Sequence, residues 1–104
     1  MRYTVILMPG DAEDESIAIA VPAVPGCLSQ AESREEVVPM AREAIELCLE
    51  EFVERNEPIP TDEPVKIAQG VVNALEILRE LDLPPRLEIT YVDVEIPSPA
   101  VASG

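Results

Sequence analysis

Near the start of the chain, apolar residues alternate in two runs, and both runs predict β-strands. In residues 2–8 both alternating sets are largely apolar, which is expected for a strand covered on both faces. Pro9 and Gly10 end this strand, and an acidic hairpin loop follows. In residues 16–21, Ile17, Ile19 and Val21 alternate with Ala18 and Ala20. The second strand should therefore have a face of small residues on which another element can pack closely.

A tight turn should lead from the second strand into a short third strand. Pro25 supplies the fixed φ of the second turn position, and Gly26 supplies the positive φ of the third. The pair is typical of a type II turn. Cys27 then begins a short strand, residues 27–31, which we expect at or near an edge of the sheet.

A longer periodicity of three and four residues predicts a helix. Ser33 and Glu36 have the spacing of a capping box, in which the hydroxyl accepts from the Glu36 N–H and the carboxylate reaches back. The core-facing stripe is Val38, Ala41, Ile45, Cys48, Leu49 and Phe52. Pro39 lies in the second turn, where it should kink the helix or delay its regular start. The helix should end near Arg55 and Asn56.

A second apolar periodicity, in residues 65–81, favours another amphipathic helix. Asp62 is a candidate cap, and Pro64 suits the first turn. Gly70 is unfavourable inside a helix, however, and residues 65–72 also fit a strand. Both interpretations of this segment stay open from the pattern alone.

The last periodic segment, residues 87–96, predicts a strand whose apolar phase switches near Tyr91. A β-bulge would explain the switch. With 104 residues the chain is expected to form one domain over residues 1–96. Residues 61–83 would be a helical segment inserted before the last strand, and residues 97–104 a disordered tail.

Charge excludes several classes of function. Seven basic and 21 acidic residues give a net charge of −14, and there is no histidine. Such a surface repels the phosphates of nucleic acids and of anionic membranes, so we expect neither direct DNA binding nor membrane association. The absence of histidine removes the commonest general base and the commonest metal ligand. No apolar stretch approaches the roughly 20 residues that span a bilayer, and two cysteines suit a reducing cytoplasm.

The acidic hairpin loop is the one candidate for metal chemistry. Its carboxylates are Asp11, Glu13, Asp14 and Glu15. They could hold a divalent cation and make the protein a metal-dependent nuclease, but their spacing does not match a calcium loop. Paired carboxylates on neighbouring core strands would also be needed, and the first two strands contain none. A solvated hairpin tip, without metal or cofactor, is the simpler interpretation.

The first predicted helix presents a second acidic surface. Glu36, Glu43, Glu50 and Glu54 fall on its solvent face, opposite the apolar stripe. This pattern fits either an ordinary soluble helix or an acidic platform for a basic protein, whose association such charges would speed.

The two cysteines are the candidate nucleophiles. Cys27 begins a short strand, a position that can leave its thiol exposed, while Cys48 lies in the apolar stripe. A catalytic thiolate needs a neighbouring base or cation, and no histidine is present to supply one. We therefore predict that both cysteines serve packing rather than catalysis.

Several of these motifs occur together in a spacing that resembles the HicB-like antitoxin family. The resemblance rests on residues 21–30 (VPAVPGCLSQ), 32–36 (ESREE) and 41–47 (AREAIEL), and it extends over roughly residues 1–60. It implies an α+β, truncated RNase H-like fold. The expected order is β-β-β-α-(α)-β, with a three-stranded antiparallel unit, a helix on one sheet face, and a last strand beside the first.

The resemblance also implies a function. Members of the family bind and mask HicA, a small basic toxin that cleaves mRNA. This chain departs from the family pattern at Ala23, Ala31, Pro39 and Cys48. Full-length members commonly add a DNA-binding module, but residues 61–83 offer one helix with few cations, so we expect no such module here.

We accordingly predict a non-enzymatic, cytoplasmic protein-binding module with a small basic toxin as its partner. The predicted partner-binding residues are Asp11, Glu13, Asp14, Glu15, Glu43, Glu50 and Glu54, and the predicted structural motif is Pro25, Gly26, Cys27, Ser33 and Glu36. Short strand edges and the alanine face favour a homodimer or higher oligomer. The alternatives are an orphan oligomeric scaffold of the same fold and a residual metal-dependent nuclease.

Overall fold

A single antiparallel sheet with a helix on each face organises the computed structural model, which describes residues 1–10 and 15–96. The elements are, in chain order, β1 (Arg2–Pro9), β2 (Ile17–Ala20), β3 (Leu28–Ala31), α1 (Arg34–Glu54), α2 (Pro64–Glu80) and β4 (Glu88–Asp93). The strands lie in the order β3-β2-β1-β4. The predicted α+β class and element order are confirmed, including the last strand beside the first.

The central position of β1 explains its apolar sequence. It pairs with β2 on one side and with β4 on the other. Tyr3, Val5 and Leu7 point to the α1 side and belong to the main core, whereas Ile6 is buried on the α2 side. The prediction of a strand covered on both faces is confirmed.

The buried row of α1 begins one residue earlier than predicted. It consists of Val37, Ala41, Ile45 and Leu49, spaced four residues apart, while Val38 is 39% exposed. Cys48 and Phe52 pack against the core only partly. The helix already begins at Arg34, so Pro39 does not delay its start.

The start of α1 differs from the predicted capping box. Ser33 is the N-cap residue with an extended backbone, but its hydroxyl makes no capping hydrogen bond. The Glu36 N–H donates instead to the Ser33 carbonyl, at 3.2 Å. The Glu36 carboxylate does reach back, and it accepts from the Glu32 N–H at 3.0 Å. The carboxylate half of the motif therefore forms one residue upstream of its expected partner.

The helix interpretation of the second periodic segment is confirmed by α2, with Pro64 in its first turn. The N-cap is Glu63, so the prediction of Asp62 as the cap is wrong. Gly70 lies where α2 crosses the sheet: a Cβ there would come within 2.8 Å of Pro22 and 3.2 Å of Ile6. The glycine that weakens the helical pattern is thus what allows the helix to approach the sheet.

The segment between α1 and α2 is tied to β1 by hydrogen bonds. The Asp62 carboxylate accepts from the Thr4 N–H at 2.9 Å and from the Thr4 hydroxyl at 2.6 Å. Next to it, the buried Tyr3 hydroxyl donates to the Pro60 carbonyl at 2.6 Å. Burial and the Asp62 charge raise the pKa of Tyr3 above its ordinary value. Asp62 therefore accepts hydrogen bonds from a strand residue and does not cap a helix.

Replacing Asp62 with alanine should lower the free energy of unfolding by about 1.5 kcal/mol, because the buried Thr4 N–H and hydroxyl lose their acceptor. Urea unfolding measures the difference. Glu57→Ala, an exposed substitution five residues away, should change it by less than about 0.5 kcal/mol. Equal effects of the two substitutions would contradict the assigned role of Asp62.

The predicted bulge near Tyr91 is wrong. β4 pairs with β1 in regular register from Arg2↔Asp93 to Leu7↔Glu88. The apparent switch of apolar phase arises because Ile89 and Tyr91 lie on the α2 side of the sheet, where they stay exposed, while Val92 and Val94 join the core under α1.

Two further predictions concern segments at the margins of the described chain. α2 occupies most of residues 61–83, the segment predicted to be helical. The predicted tail, residues 97–104, lies outside the described residues, as do Asp11, Glu13 and Asp14. Among the described residues, no helix has both the length and the hydropathy needed to cross a bilayer.

Candidate protein-binding surface

The outer face of α1 combines carboxylates with an exposed leucine. Glu43, Glu50 and Glu54 are all exposed, as predicted from the helical spacing. Leu47 lies among them and is 56% exposed. Steps of three and four residues place these side chains on one face of the helix, opposite the buried row.

A shallow cavity of about 280 Å³ adjoins this face, where α1 meets β3. Its lining includes Glu43 and Leu47 from α1 and Leu28 from β3. Leu28 is 72% exposed. We call Leu28, Glu43, Leu47, Glu50 and Glu54 together the acidic α1 surface. Apolar anchors within a polar, charged rim are the usual anatomy of a protein–protein interface.

Sequence reasoning missed the two leucines of this surface. Leu47 falls outside the apolar stripe of α1, and that displacement is a signal that could have identified it. Leu28 offers no such signal: an edge position for its strand is expected from the sequence, but the side chains of that strand that stay uncovered depend on the elements packed against it.

The remaining described residue of the predicted hairpin site lies elsewhere. Glu15 is exposed and lines a cleft with Ser33 and Arg34, at the N-terminal end of α1. Glu54 is the last residue of that helix, about 30 Å further along at 1.5 Å per residue. The structure does not bring Glu15 together with Glu54.

The turn before β3 sets the position of Cys27. Gly26 has φ of +76°, and the Cys27 N–H donates to the Val24 carbonyl at 3.1 Å, as the predicted type II turn requires. The position before β3 does not leave the thiol exposed: Cys27 is 2% exposed, and it precedes β3 rather than starting it. Burial, together with a hydrogen bond to the Cys48 thiol, raises the pKa of Cys27 to about 12. Burial and the raised pKa both disfavour the thiolate, as expected for a cysteine that packs in the core.

The opposite face of the sheet carries an apolar groove of about 510 Å³ between α2 and the β2–β3 hairpin. Met8, Leu28, Val65 and Ile77 are among its lining residues, and Lys66 is its one charged residue. The lysine is paired with Glu63 at 3.0 Å. Leu28 therefore contributes both to this groove and to the acidic α1 surface.

Metal chemistry has no cluster to support it in the part of the chain that the structure describes. Within residues 1–10 and 15–96, no three side chains of histidine, cysteine, aspartate or glutamate come together so as to hold an ion. Some of the described carboxylates have other partners: Asp62 accepts from Thr4, and Glu63 pairs with Lys66. At Glu88, for example, a two-pronged ion pair with Arg34 lowers the pKa of the carboxyl group.

Comparison with known proteins gives a family match and a similar solved structure. Residues 3–81 match a family described as the HicB_like antitoxin of bacterial toxin-antitoxin systems. Among solved structures, the chain is similar to one in the "HicA3 and HicB3 toxin-antitoxin complex", with a TM-score of 0.58 and 16% identity over 91% of this chain and 99% of that chain. At this identity the similarity supports the fold alone. No curated protein sequence matches the chain.

Proposed function

Because this chain belongs to the HicB-like antitoxin family of bacterial toxin–antitoxin systems, we propose that it binds a small basic HicA-type mRNA-cleaving toxin and masks it. The acidic α1 surface is the proposed contact. One observation carries the proposal: the exposed Leu47 lies among three exposed carboxylates on one face of α1, and the exposed Leu28 of β3 lines the adjoining cavity together with Glu43 and Leu47.

The chemistry of the two partners is complementary. A protein that cleaves RNA needs a basic surface to hold phosphates. Carboxylates spaced along α1 offer that surface an alternative set of negative charges, while Leu28 and Leu47 supply apolar area that RNA does not have. Masking by this route needs no catalytic group in the antitoxin, and the buried Cys27 thiol offers none.

The net charge of −14 supports the same choice of partner. Opposite charges speed association, and this effect is screened by salt. Since the toxin acts on mRNA, we place both proteins in the cytoplasm. A direct contact of this chain with DNA is not part of the proposal.

The test is co-expression with the small basic protein encoded next to the gene for this chain. That protein alone should arrest growth and cleave mRNA in vitro, and an equimolar amount of this chain should suppress both effects. The complex should also weaken as NaCl is raised. If the neighbouring protein neither binds this chain nor is inhibited by it, the proposal fails and an orphan scaffold is the better description.

A further inference from the structure

The two cysteines of the chain lie against each other where α1 packs on β3. Cys27 belongs to the buried core, and Cys48 is a half-buried side chain packed against that core. Their thiols share a hydrogen bond. The two sulfur atoms are therefore already neighbours, which is the geometric requirement for a disulfide.

The backbone on both sides of this contact is held in place. The Cys27 N–H donates to the Val24 carbonyl, and the Cys27 carbonyl accepts from the Val21 N–H, both at 3.1 Å. On α1, the fully buried Ile45 and Leu49 anchor the turn of helix that carries Cys48. Because fixed segments present the two thiols to each other, a bond between them is favoured over a bond to another molecule.

The two thiols differ in their exposure. Cys48 lines the shallow cavity of about 280 Å³ between α1 and β3, whereas Cys27 is 2% exposed. Burial also raises the pKa of the Cys27 thiol, which keeps it protonated. Cys48 is therefore the thiol that meets an oxidant first.

From this geometry we infer that Cys27 and Cys48 form an oxidation site, at which hydrogen peroxide converts the pair to an intramolecular disulfide that joins α1 to the turn before β3. Disulfides in a reducing cytoplasm are usually transient and redox-sensing, since cellular thiols reduce them again. In the reduced chain both side chains serve packing, as the sequence predicts. The inference does not depend on the proposed toxin contact.

The reaction proceeds in two steps. The Cys48 sulfur attacks one peroxide oxygen, the O–O bond breaks, and a sulfenic acid forms while the second oxygen leaves with the Cys48 proton as water. The Cys27 sulfur then attacks the Cys48 sulfur, the S–O bond breaks, and the hydroxyl group leaves with the Cys27 proton as a second water. Two thiols are thereby oxidised to one disulfide, and one hydrogen peroxide is reduced to two waters.

Charge and size select the oxidant. The cavity that exposes Cys48 is also lined by Glu43, on a chain with a net charge of −14. Glutathione disulfide is anionic, so this surface repels it, and it is large for a shallow cavity. Hydrogen peroxide is small and neutral. At equal concentration we therefore expect peroxide to oxidise the pair faster than glutathione disulfide does.

Mass spectrometry of the intact chain tests the site. After equimolar hydrogen peroxide and alkylation in denaturant, the wild type should take up no alkyl group and keep the 11.3 kDa mass of a single chain. Dithiothreitol should restore both alkylation sites. Cys48→Ala, a change at a half-buried position, should retain an alkylatable thiol at Cys27 under the same treatment. A wild type that keeps both thiols free, or that forms only disulfide-linked dimers, would overturn the inference.

A second variant isolates the first step. Cys27→Ala removes the thiol that closes the disulfide, so the sulfenic acid at Cys48 should persist and be trapped by dimedone. The wild type should give several times less of this adduct. Circular dichroism verifies that the core variant folds, and the Cys48→Ala comparison stands if it does not. Equal adduct from the wild type and Cys27→Ala would contradict closure by Cys27.

The disulfide should also stabilise the fold, because a crosslink restricts the unfolded chain. The oxidised wild type should unfold at a higher urea concentration than the reduced wild type, and peroxide should not shift the midpoint of Cys48→Ala. A lower midpoint for the oxidised wild type would mean that the bond distorts the contact between α1 and β3, against the inference.

Protection by the partner separates this site from the toxin contact. Cys48 shares its cavity with Leu28, Glu43 and Leu47 of the acidic α1 surface. This expectation rests on the proposed function: the bound neighbouring basic protein should slow disulfide formation. A disulfide that forms equally fast in the free chain and in the mixture would contradict the toxin contact and leave the oxidation site intact. A free chain that forms no disulfide would refute the oxidation site, whatever its binding of the toxin.

Discussion

Replacing both Glu50 and Glu54 with lysine should weaken binding of the basic toxin by about 100-fold, since two attractive contacts become repulsive at roughly a factor of ten each. Both carboxylates lie on the exposed outer face of α1. Isothermal titration or stopped-flow measurement at two salt concentrations provides the affinity. The salt dependence should flatten along with the loss of affinity.

The same double substitution should not lower the stability of the fold. Comparing toxin affinity with the free energy of unfolding therefore separates an effect on binding from an effect on folding. The substitution keeps a like-charge pair at i,i+4 spacing, but it removes the repulsion between Glu46 and Glu50 and brings a basic side chain into the last turn of α1, which has none. Lysines there favour the helix dipole, so the variant should unfold at the same or a slightly higher urea concentration. A weakened complex from an unchanged fold would therefore assign the loss to the surface itself.

The matched control lies on α2. Glu76→Lys with Glu80→Lys makes the same change of net charge, at the same spacing, on another exposed helix. We expect it to reduce toxin affinity only by the few-fold effect of altered net charge. If both double variants lose affinity equally, the toxin responds to net charge and the acidic α1 surface is not its binding site.

Replacing Gly70 with valine should lower the free energy of unfolding by about 3 kcal/mol, at the upper end of what overpacking costs. The new Cβ would come within 2.8 Å of the rigid Pro22 ring and 3.2 Å of Ile6, so α2 must move off the sheet. Helix propensity alone predicts the opposite, because valine is better than glycine inside a helix. Urea unfolding therefore decides between a local and a tertiary explanation of this glycine.

Val72→Ala serves as the control for helix propensity. Val72 is exposed on the same helix, and alanine is the best helix former, so a small gain of stability is expected. The free energy of unfolding of Gly70→Ala should lie between those of Gly70→Val and Val72→Ala. We expect a net loss of about 1 kcal/mol, because the gain in helix propensity offsets part of the cost of overpacking. A stabilised Gly70→Ala variant would contradict the close approach of α2 to β1.

Several features that depend on neighbours along the chain were predicted correctly, although the capping hydrogen bond of Ser33 and the helix cap at Asp62 were not. The type II turn at Pro25 and Gly26, the extent of α1 and the apolar character of β1 all follow from short-range patterns. Errors of one residue remained at Val38 and at the start of β3. A periodic pattern defines a stripe but not which row of the stripe meets the sheet.

Only part of the candidate site could be predicted, because only part of it depends on spacing within one helix. Helical spacing alone predicted the exposure of Glu43, Glu50 and Glu54, which the structure confirms. The same spacing leaves Leu47 outside the buried row, but Leu28 joins this surface only because β3 lies against α1. Sheet order is a long-range property, and no pattern within either segment encodes it.

The sequence by itself determined the tight turn at Pro25 and Gly26, the extent of α1, the acidic character and the absence of histidine. The tertiary structure decided the roles of residues whose partners lie more than 45 positions away: Asp62 on Thr4, Arg34 on Glu88, and Gly70 against Pro22. Each of these contacts forms only after the sheet order brings distant segments together. Hydrophobic burial drives that assembly but has no direction, so close packing and hydrogen bonds select the particular neighbours.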